Sequence, residues 1–225
     1  MESTHSDLDR LVIKAGREAT GNTSLHSLRF PVASLFKIVL AHGALLSEKL
    51  SSQEPLLCPD RLEDAGKQQL NLHEAMLYSS NDFFKQLLDR LDPYILAVAM
   101  QDLQFPGDPP GESMLEREWE TLWHGGTITV NPMEVFHLTE RLAKLARTSR
   151  YAVLVESMER PARSGSRVIG KTGTWGGAAW CTGFSLNSGT KHIGQIVTVL
   201  HRYEAPNWHH AHACALDEFY RELHE

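Results

Sequence analysis

Apolar positions change their period twice along the 225-residue chain. In residues 10–30 (RLVIKAGREATGNTSLHSLRF), short apolar runs broken by Gly and Asn predict two short strands around a turn at Gly21-Asn22. PVASLFKIVLAHGALL (31–46) is almost wholly apolar and predicts a buried helix from about Ser34. LHEAMLYSSNDFFKQLLDRL (72–91) repeats its apolar residues at helical spacing, with Asn81 and Asp82 near the middle. FPGDPPGES (105–113) is loop by its Pro and Gly content. NPMEVFHLTERLAKLA (131–146) is an amphipathic helix with Asn131 as N-cap and Pro132 in its first turn.

Beyond Arg150 the period shortens. SRVIGKTG, AAWCTGFSLN and KHIGQIVTVLHR predict three strands, the last two joined by a turn at NSGT, and HAHACALDEFYREL predicts a closing amphipathic helix. A helical middle flanked by strands is an α+β pattern: one antiparallel sheet covered by helices, with a helical lobe at about 45–150, in a single domain spanning 1–225.

Composition narrows the partners. Net charge is -6 with no run of Lys or Arg, which disfavours nucleic acid and anionic membrane surfaces. No apolar run reaches the roughly 18–20 residues of a membrane span. The polar, acidic start MESTHSDLDR is the wrong chemistry for a secretory signal. Three cysteines (Cys58, Cys181, Cys214) without metal-like spacing read as reduced thiols. The expected setting is cytoplasmic, or periplasmic or secreted if a leader has been removed.

One lysine sits inside the most apolar helix. Ser34 and Lys37 are three residues apart and share a helix face. Burial among Phe36, Ile38, Val39 and Leu40 disfavours the ammonium, which makes Lys37 a neutral base for the Ser34 hydroxyl. Helix-start N–H groups near Ser34 favour developing negative charge. Alone, S-x-x-K is a chance pattern: a capping serine and a lysine reaching to water. Two further motifs follow in order. YSSND supplies Ser79, Ser80 and Asn81; GKTGT supplies Lys171, Thr172, Gly173 and Thr174 before a turn at WGG.

S-x-x-K, then S-x-N, then K-T-G resembles the serine β-lactamase and penicillin-binding protein superfamily, over residues from about 28 to the C-terminus. The resemblance implies a β-lactamase/transpeptidase-like fold and a hydrolase that needs no metal or other cofactor. It implies Ser34 as the acylated nucleophile, Lys37 as its base, Ser79 as a proton relay and Lys171 as the positive charge facing Ser79. Asn81 would bind a substrate amide and hold Lys37. Thr172 and Thr174 would meet a substrate carboxylate, Gly173 would let substrate lie along the strand edge, and the N–H groups of Ser34 and Thr174 would form an oxyanion hole. The substrate would be a small molecule or peptide-like: a β-lactam or related amide. A peptidase, amidase or acyltransferase on the same scaffold, or a sensor that stays acylated, remains open.

SLFK, Ala75-Met76, Trp123 ahead of NPMEV, and AWCTGF resemble class D β-lactamases, in which the buried lysine is carbamylated. Asn81 is the penicillin-binding-protein choice, and LQFPGDPP lacks the class D Y-G-N segment. Glu118 and Glu120 occupy the region where class A enzymes carry a deacylating glutamate, but neither is followed by Leu-Asn at the required spacing. Cys181 stands where an arginine would anchor a substrate carboxylate, with Arg202 as the substitute nearby; Arg160, Arg163 and Arg167 read as a solvated turn. His210 and Cys214 have metal-like spacing but no second cluster to complete a site. Trp175 and Trp180 read as packing beside the K-T-G strand, with a roof over the site as the alternative for Trp175.

Overall fold

The computed structural model describes residues 9–106, 118–162, 166–187, 192–204 and 207–224. The chain opens with β1 (Arg10–Lys14), β2 (Thr20–Gly21) and β3 (Phe30–Pro31), then enters α1 (Lys37–Leu46). Next come β4 (Leu56–Leu57), α2 (Leu62–Ala65), β5 (Gln69–Leu70), α3 (Leu72–Tyr78), α4 (Asn81–Leu88) and α5 (Pro93–Leu103). β6 (Thr129–Val130), α6 (Pro132–Leu145), α7 (Ala152–Ser157) and β7 (Glu159–Arg160) lead into the long strands β8 (Arg167–Trp175), β9 (Ala178–Leu186) and β10 (Ile193–Arg202). α8 (Trp208–His224) follows.

Six strands form one antiparallel sheet in the order β2-β1-β10-β9-β8-β7. The α+β expectation describes it, and the stretch between β2 and β7 is mostly helical with two two-residue ladders, β3–β6 and β4–β5. Every residue of β9 is buried, because helices cover both faces of the sheet. On one face Ala211, Ala215 and Phe219 of α8 pack on Val12, Val168, Ala179, Cys181, Val197 and Val199. On the other, α6 meets the sheet through a buried hydroxyl chain: Thr139 Oγ1 lies 2.6 Å from Thr182 Oγ1, which lies 2.6 Å from Thr198 Oγ1. Each hydroxyl thus finds a partner that an apolar neighbour would deny it.

Three sequence expectations change. The β1–β2 connection lies at 15–19, and Gly21-Asn22 instead ends β2, with Asn22 capping a 3-10 turn (Thr23–Ser27). The α-helix proper starts at Lys37, after a 3-10 turn (Ala33–Phe36) that carries Ser34. Residues 72–91 form two helices broken at Ser79, where periodicity alone shows one. Asn131 does cap α6, in a capping box with Glu134. The β8–β9 turn uses Gly176 and Gly177 at φ 55° and 85°, as a two-residue hairpin between twisted strands requires. Most of the 105–113 loop, Arg163 and most of the NSGT turn lie outside the described residues.

α8 is tied to the first strand and the last by Glu218. Its side chain is 5% exposed and takes Arg10 at 2.5 Å, Arg221 at 2.7 Å and His201 at 2.8 Å. Burial pushes this carboxyl up, but the His201 hydrogen bond and the Arg10, His201 and Arg221 charges outweigh that and hold it below its ordinary value. Removing one member of such a buried network leaves the others uncompensated. Glu218→Ala should cost about 3 kcal/mol in urea unfolding at pH 7. The gap to wild type should close as pH falls through and below the ordinary carboxylate range, where the native state loses this charge.

Candidate active site

The backbone ahead of Ser34 is held from several sides. Phe30 and Pro31 pair with Val130 and Thr129. Trp180, fully buried, donates from Nε1 to Pro31 O at 2.9 Å. Ala33 is then driven to φ 51°, a left-handed conformation costly for a residue with a Cβ. Two glycines allow the close approach that holds it. A Cβ on Gly125 would lie 2.5 Å from Val32 Cγ1, and one on Gly173 would lie 3.3 Å from Ser34 N. Gly173 thus lets β8 close onto the backbone of Ser34, a reason additional to the open strand edge expected from the sequence.

Ser79 ends α3 in the left-handed region (φ 54°, ψ 43°), and Ser80 caps α4 by accepting Phe83 N–H. Asp60, on the far side of the break, accepts from Ser80 Oγ at 2.7 Å and from Asn81 N at 2.6 Å. The kink aims Ser79 O, Ser79 Oγ and the Asn81 side chain inward together. Lys37 Nζ, from α1, meets all three: Ser79 O at 2.7 Å, Asn81 Oδ1 at 2.8 Å and Ser79 Oγ at 3.3 Å. Lys171 Nζ, from β8, donates to the same Ser79 Oγ at 2.9 Å and to Thr172 O at 2.9 Å.

Both lysines are fully buried. Desolvation brings Lys37 down to about 7, and the positive charges of Arg61 and Lys85 press the same way against Asp60. Lys171 is held well below its ordinary value by burial, then by Lys37 and Arg160. One hydroxyl therefore sits between two amines that cannot both carry full charge cheaply. No hydrogen bond joins Ser34 Oγ to a described residue, so that hydroxyl stands open to the cleft.

The cleft is about 770 Å³. Ser34, Ser79, Asn81, Thr172, Gly173 and Thr174 line it, with the amines of Lys37 and Lys171 beneath on Ser79. Tyr78, Trp123, Trp175, Tyr203 and Trp208 add an aromatic rim. Trp175 is 53% exposed and tilts against His124, ring centroids 5.1 Å apart; packing accounts for Trp180 alone. Thr174 Oγ1 is 2.9 Å from His212 Nδ1. Burial, then the charges of Lys171 and Arg160, lower His212 to about 4, so it is neutral near pH 7. Sequence reasoning missed His212, Asp60, His124 and Arg61; the histidines of 209–212 were visible only as a metal-like cluster. His210 and Cys214 contact each other at 3.6 Å, and among the described residues no group of three or more ligands could hold a metal ion.

Other expectations move. Glu118 accepts from Thr127 N at 2.8 Å and from Thr127 Oγ1, pinning the 118–127 loop, while Glu120 is exposed. No Asp or Glu is among the described residues that line the cleft. Arg202 is exposed and lines a separate surface hollow with Asp9, Arg10 and His201, so it is no substitute anchor for this cleft. Arg160 and Arg167 are not on a solvated turn: Arg167 is paired to Glu159 at 2.6 Å, and Arg160 lines the cleft.

No family model and no curated protein matches the sequence. Solved structures do match. A class D β-lactamase from Bacillus subtilis superposes at TM-score 0.71 with 16% identity, over 93% of this chain and 90% of that one. The class D β-lactamase YbXI from Nostoc superposes at 0.73 with 16% identity, over 96% and 91%. The fold is that of the serine β-lactamases. At such identity the likeness to these β-lactamases is one of architecture, and what the site does is argued from its own geometry.

Burying the Lys37 amine is a cost. The unfolded chain keeps Lys37 protonated up to about its ordinary value of 10.5, whereas the folded chain releases the proton above about 7. Stability from this group therefore rises with pH between those values. Lys37→Met should be about 2 kcal/mol more stable than wild type at pH 7, lost hydrogen bonds offsetting part of the desolvation relief. The advantage should shrink as pH approaches 10.5 in urea titrations.

Proposed function

We propose that the chain is a serine hydrolase of the β-lactamase and penicillin-binding type, acting through an acyl-Ser34 intermediate on a β-lactam or related amide. The observation that carries the reading is the Ser79 hydroxyl held between two buried amines, at 3.3 Å from Lys37 and 2.9 Å from Lys171, beside an open serine hydroxyl. In its neutral form Lys37 has two N–H groups, which go to Ser79 O and Asn81 Oδ1; its lone pair is left to take a proton. That proton comes from Ser34 as the hydroxyl attacks the amide carbonyl. The Lys37 ammonium passes that proton through the Ser79 hydroxyl to the departing nitrogen, while Lys171 holds Ser79 in place. The Ser34 and Thr174 N–H groups take the oxyanion, and Asn81 meets the substrate's amide.

The Lys37 amine stays unmodified in this scheme. A carbamate would turn carboxylate oxygens toward Ser79 O and Asn81 Oδ1, both acceptors. A second reading is favoured by one observation: no carboxylate among the described residues lines the cleft to activate water. The acyl-enzyme would then be long-lived, as in a sensor, or would pass its acyl group to an amine. Intact-mass time courses with penicillin G separate these. A transient adduct with turnover supports hydrolysis, a lasting adduct supports the second reading, and no adduct on wild type removes β-lactams as substrates.

Ser34→Ala should abolish any adduct, and Ser79→Ala should slow its formation roughly 10²-fold or more. Acylation should rise with pH to a half-maximum near 7, where Lys37 loses its proton, and added bicarbonate should leave the rate unchanged. A flat profile, or bicarbonate stimulation, would count against a free-amine base.

A further inference from the structure

An acyl-serine needs a base for water if it is to turn over, and the cleft lining holds no described carboxylate. It does hold two imidazoles, His124 and His212. His212 is engaged by Thr174 Oγ1 at 2.9 Å and lowered to about 4, which makes it a weak base with one nitrogen already taken. His124 has neither handicap. It ends the 3-10 turn Trp119–His124, and its two chain neighbours place it. On one side, a Cβ on Gly125 would lie 3.0 Å from Ala33 O and 3.2 Å from Ala33 N. The chain carrying His124 therefore runs against the residue before Ser34. On the other side, the Trp123 ring centroid lies 6.0 Å from Lys37 Nζ.

The ring is fixed and oriented as a base. Trp123 meets it edge-on, centroids 4.4 Å apart at 84°, and Trp175 of β8 lies at 5.1 Å. Glu118, the acid ahead of the turn, is taken by Thr127 N at 2.8 Å. The Nδ1 atom is buried, and among the described residues only the backbone of His124 itself stands beside it as a hydrogen-bonding group. The ring hydrogen is assigned to Nδ1 on that ground. The lone pair then falls on Nε2, the nitrogen that is not sealed in. Burial holds His124 below its ordinary value of 6.5; its own backbone opposes this, and the charges of Lys37 on α1 and Lys85 on α4 press it lower. The imidazole is neutral at pH 7, as a proton acceptor must be.

We propose that His124 is the base that activates water against acyl-Ser34, so that the two halves of the reaction use different bases, Lys37 for acylation and His124 for deacylation. The proposal rests on the acyl-Ser34 reading above. The water oxygen bonds to the acyl carbon as one of its protons passes to His124 Nε2. The tetrahedral intermediate then breaks its bond to Ser34 Oγ, and the proton on the imidazolium goes to that departing oxygen. Acid and free serine result, and His124 is neutral again. A carboxylate is thus unnecessary for turnover in this cleft.

Wild type, His124→Gln and His124→Phe are mixed with penicillin G and followed by intact mass, with turnover of a chromogenic cephalosporin read alongside. Wild type should form an adduct that clears. In His124→Gln the adduct should form within about 3-fold of the wild-type rate and clear roughly 10²-fold more slowly. His124→Phe keeps a ring against Trp123 and Trp175 but has no lone pair, and it should clear as slowly as His124→Gln; this separates the base from packing. A third readout needs no variant. Clearing of the wild-type adduct should fall as pH drops through a midpoint below 6.5, whereas acylation has its midpoint near 7. A wild-type adduct that persists, either variant clearing at the wild-type rate, or clearing that is flat across the pH range in which a histidine titrates overturns the role of His124 and leaves acyl-Ser34 standing. No adduct on wild type removes the acyl-Ser34 reading itself on this donor, and the role of His124 falls with it.

Discussion

The Lys37 amine is the point from which the site is organised. It crosses from α1 to the break between two helices and takes the backbone oxygen of Ser79 at 2.7 Å and Asn81 Oδ1 at 2.8 Å. Both acceptors exist in that position because Ser79 is left-handed and because Asp60 clasps Ser80 and Asn81 from the other side. Strand β8 then completes the arrangement by bringing Lys171 to the Ser79 hydroxyl. Three elements distant in sequence are thereby tied to one small set of polar atoms. In a fully apolar surround each of those atoms would cost free energy if left alone.

The order of the strands, the amphipathic α6 and the closing α8 were readable because each buries one face at a regular period. The candidate site was readable as three short motifs in order, whose residues the structure brings together. The helix break at Ser79 was not, because a single left-handed residue leaves the apolar spacing on either side intact. Asp60 was invisible for a different reason: it acts from about twenty positions away, and one aspartate on a loop carries no local signature. Arg160 was misread since RPARSGSR looks like exposed turn chemistry. Only the empty face of Gly170 and the pairing of Glu159 with Arg167 turn Arg160 toward the cleft. Gly173 was expected to serve the substrate, whereas the structure also gives it a structural duty against Ser34.

The electrostatics of the cleft run against those of the chain. The molecule carries a net charge of -6, yet Arg61, Arg160, Lys37 and Lys171 converge on one hollow with no described acidic residue in its lining. Acids elsewhere are spent on structure, as the buried Glu218 is on the seam between β1, β10 and α8. Basic side chains are thus concentrated in one place.

The two glycines that close on residues 32–34 have a further consequence. Gly125 leaves no room for a side chain and Gly173 leaves little, so the floor beneath Ser34 has little slack. The opposite boundary is built of Trp175 and Trp208, 53% and 45% exposed, which no such contact confines. Under selection for a new substrate, change would therefore accumulate at the aromatic rim. The cradle of Ser34 would stay as it is while the entrance is rebuilt around it.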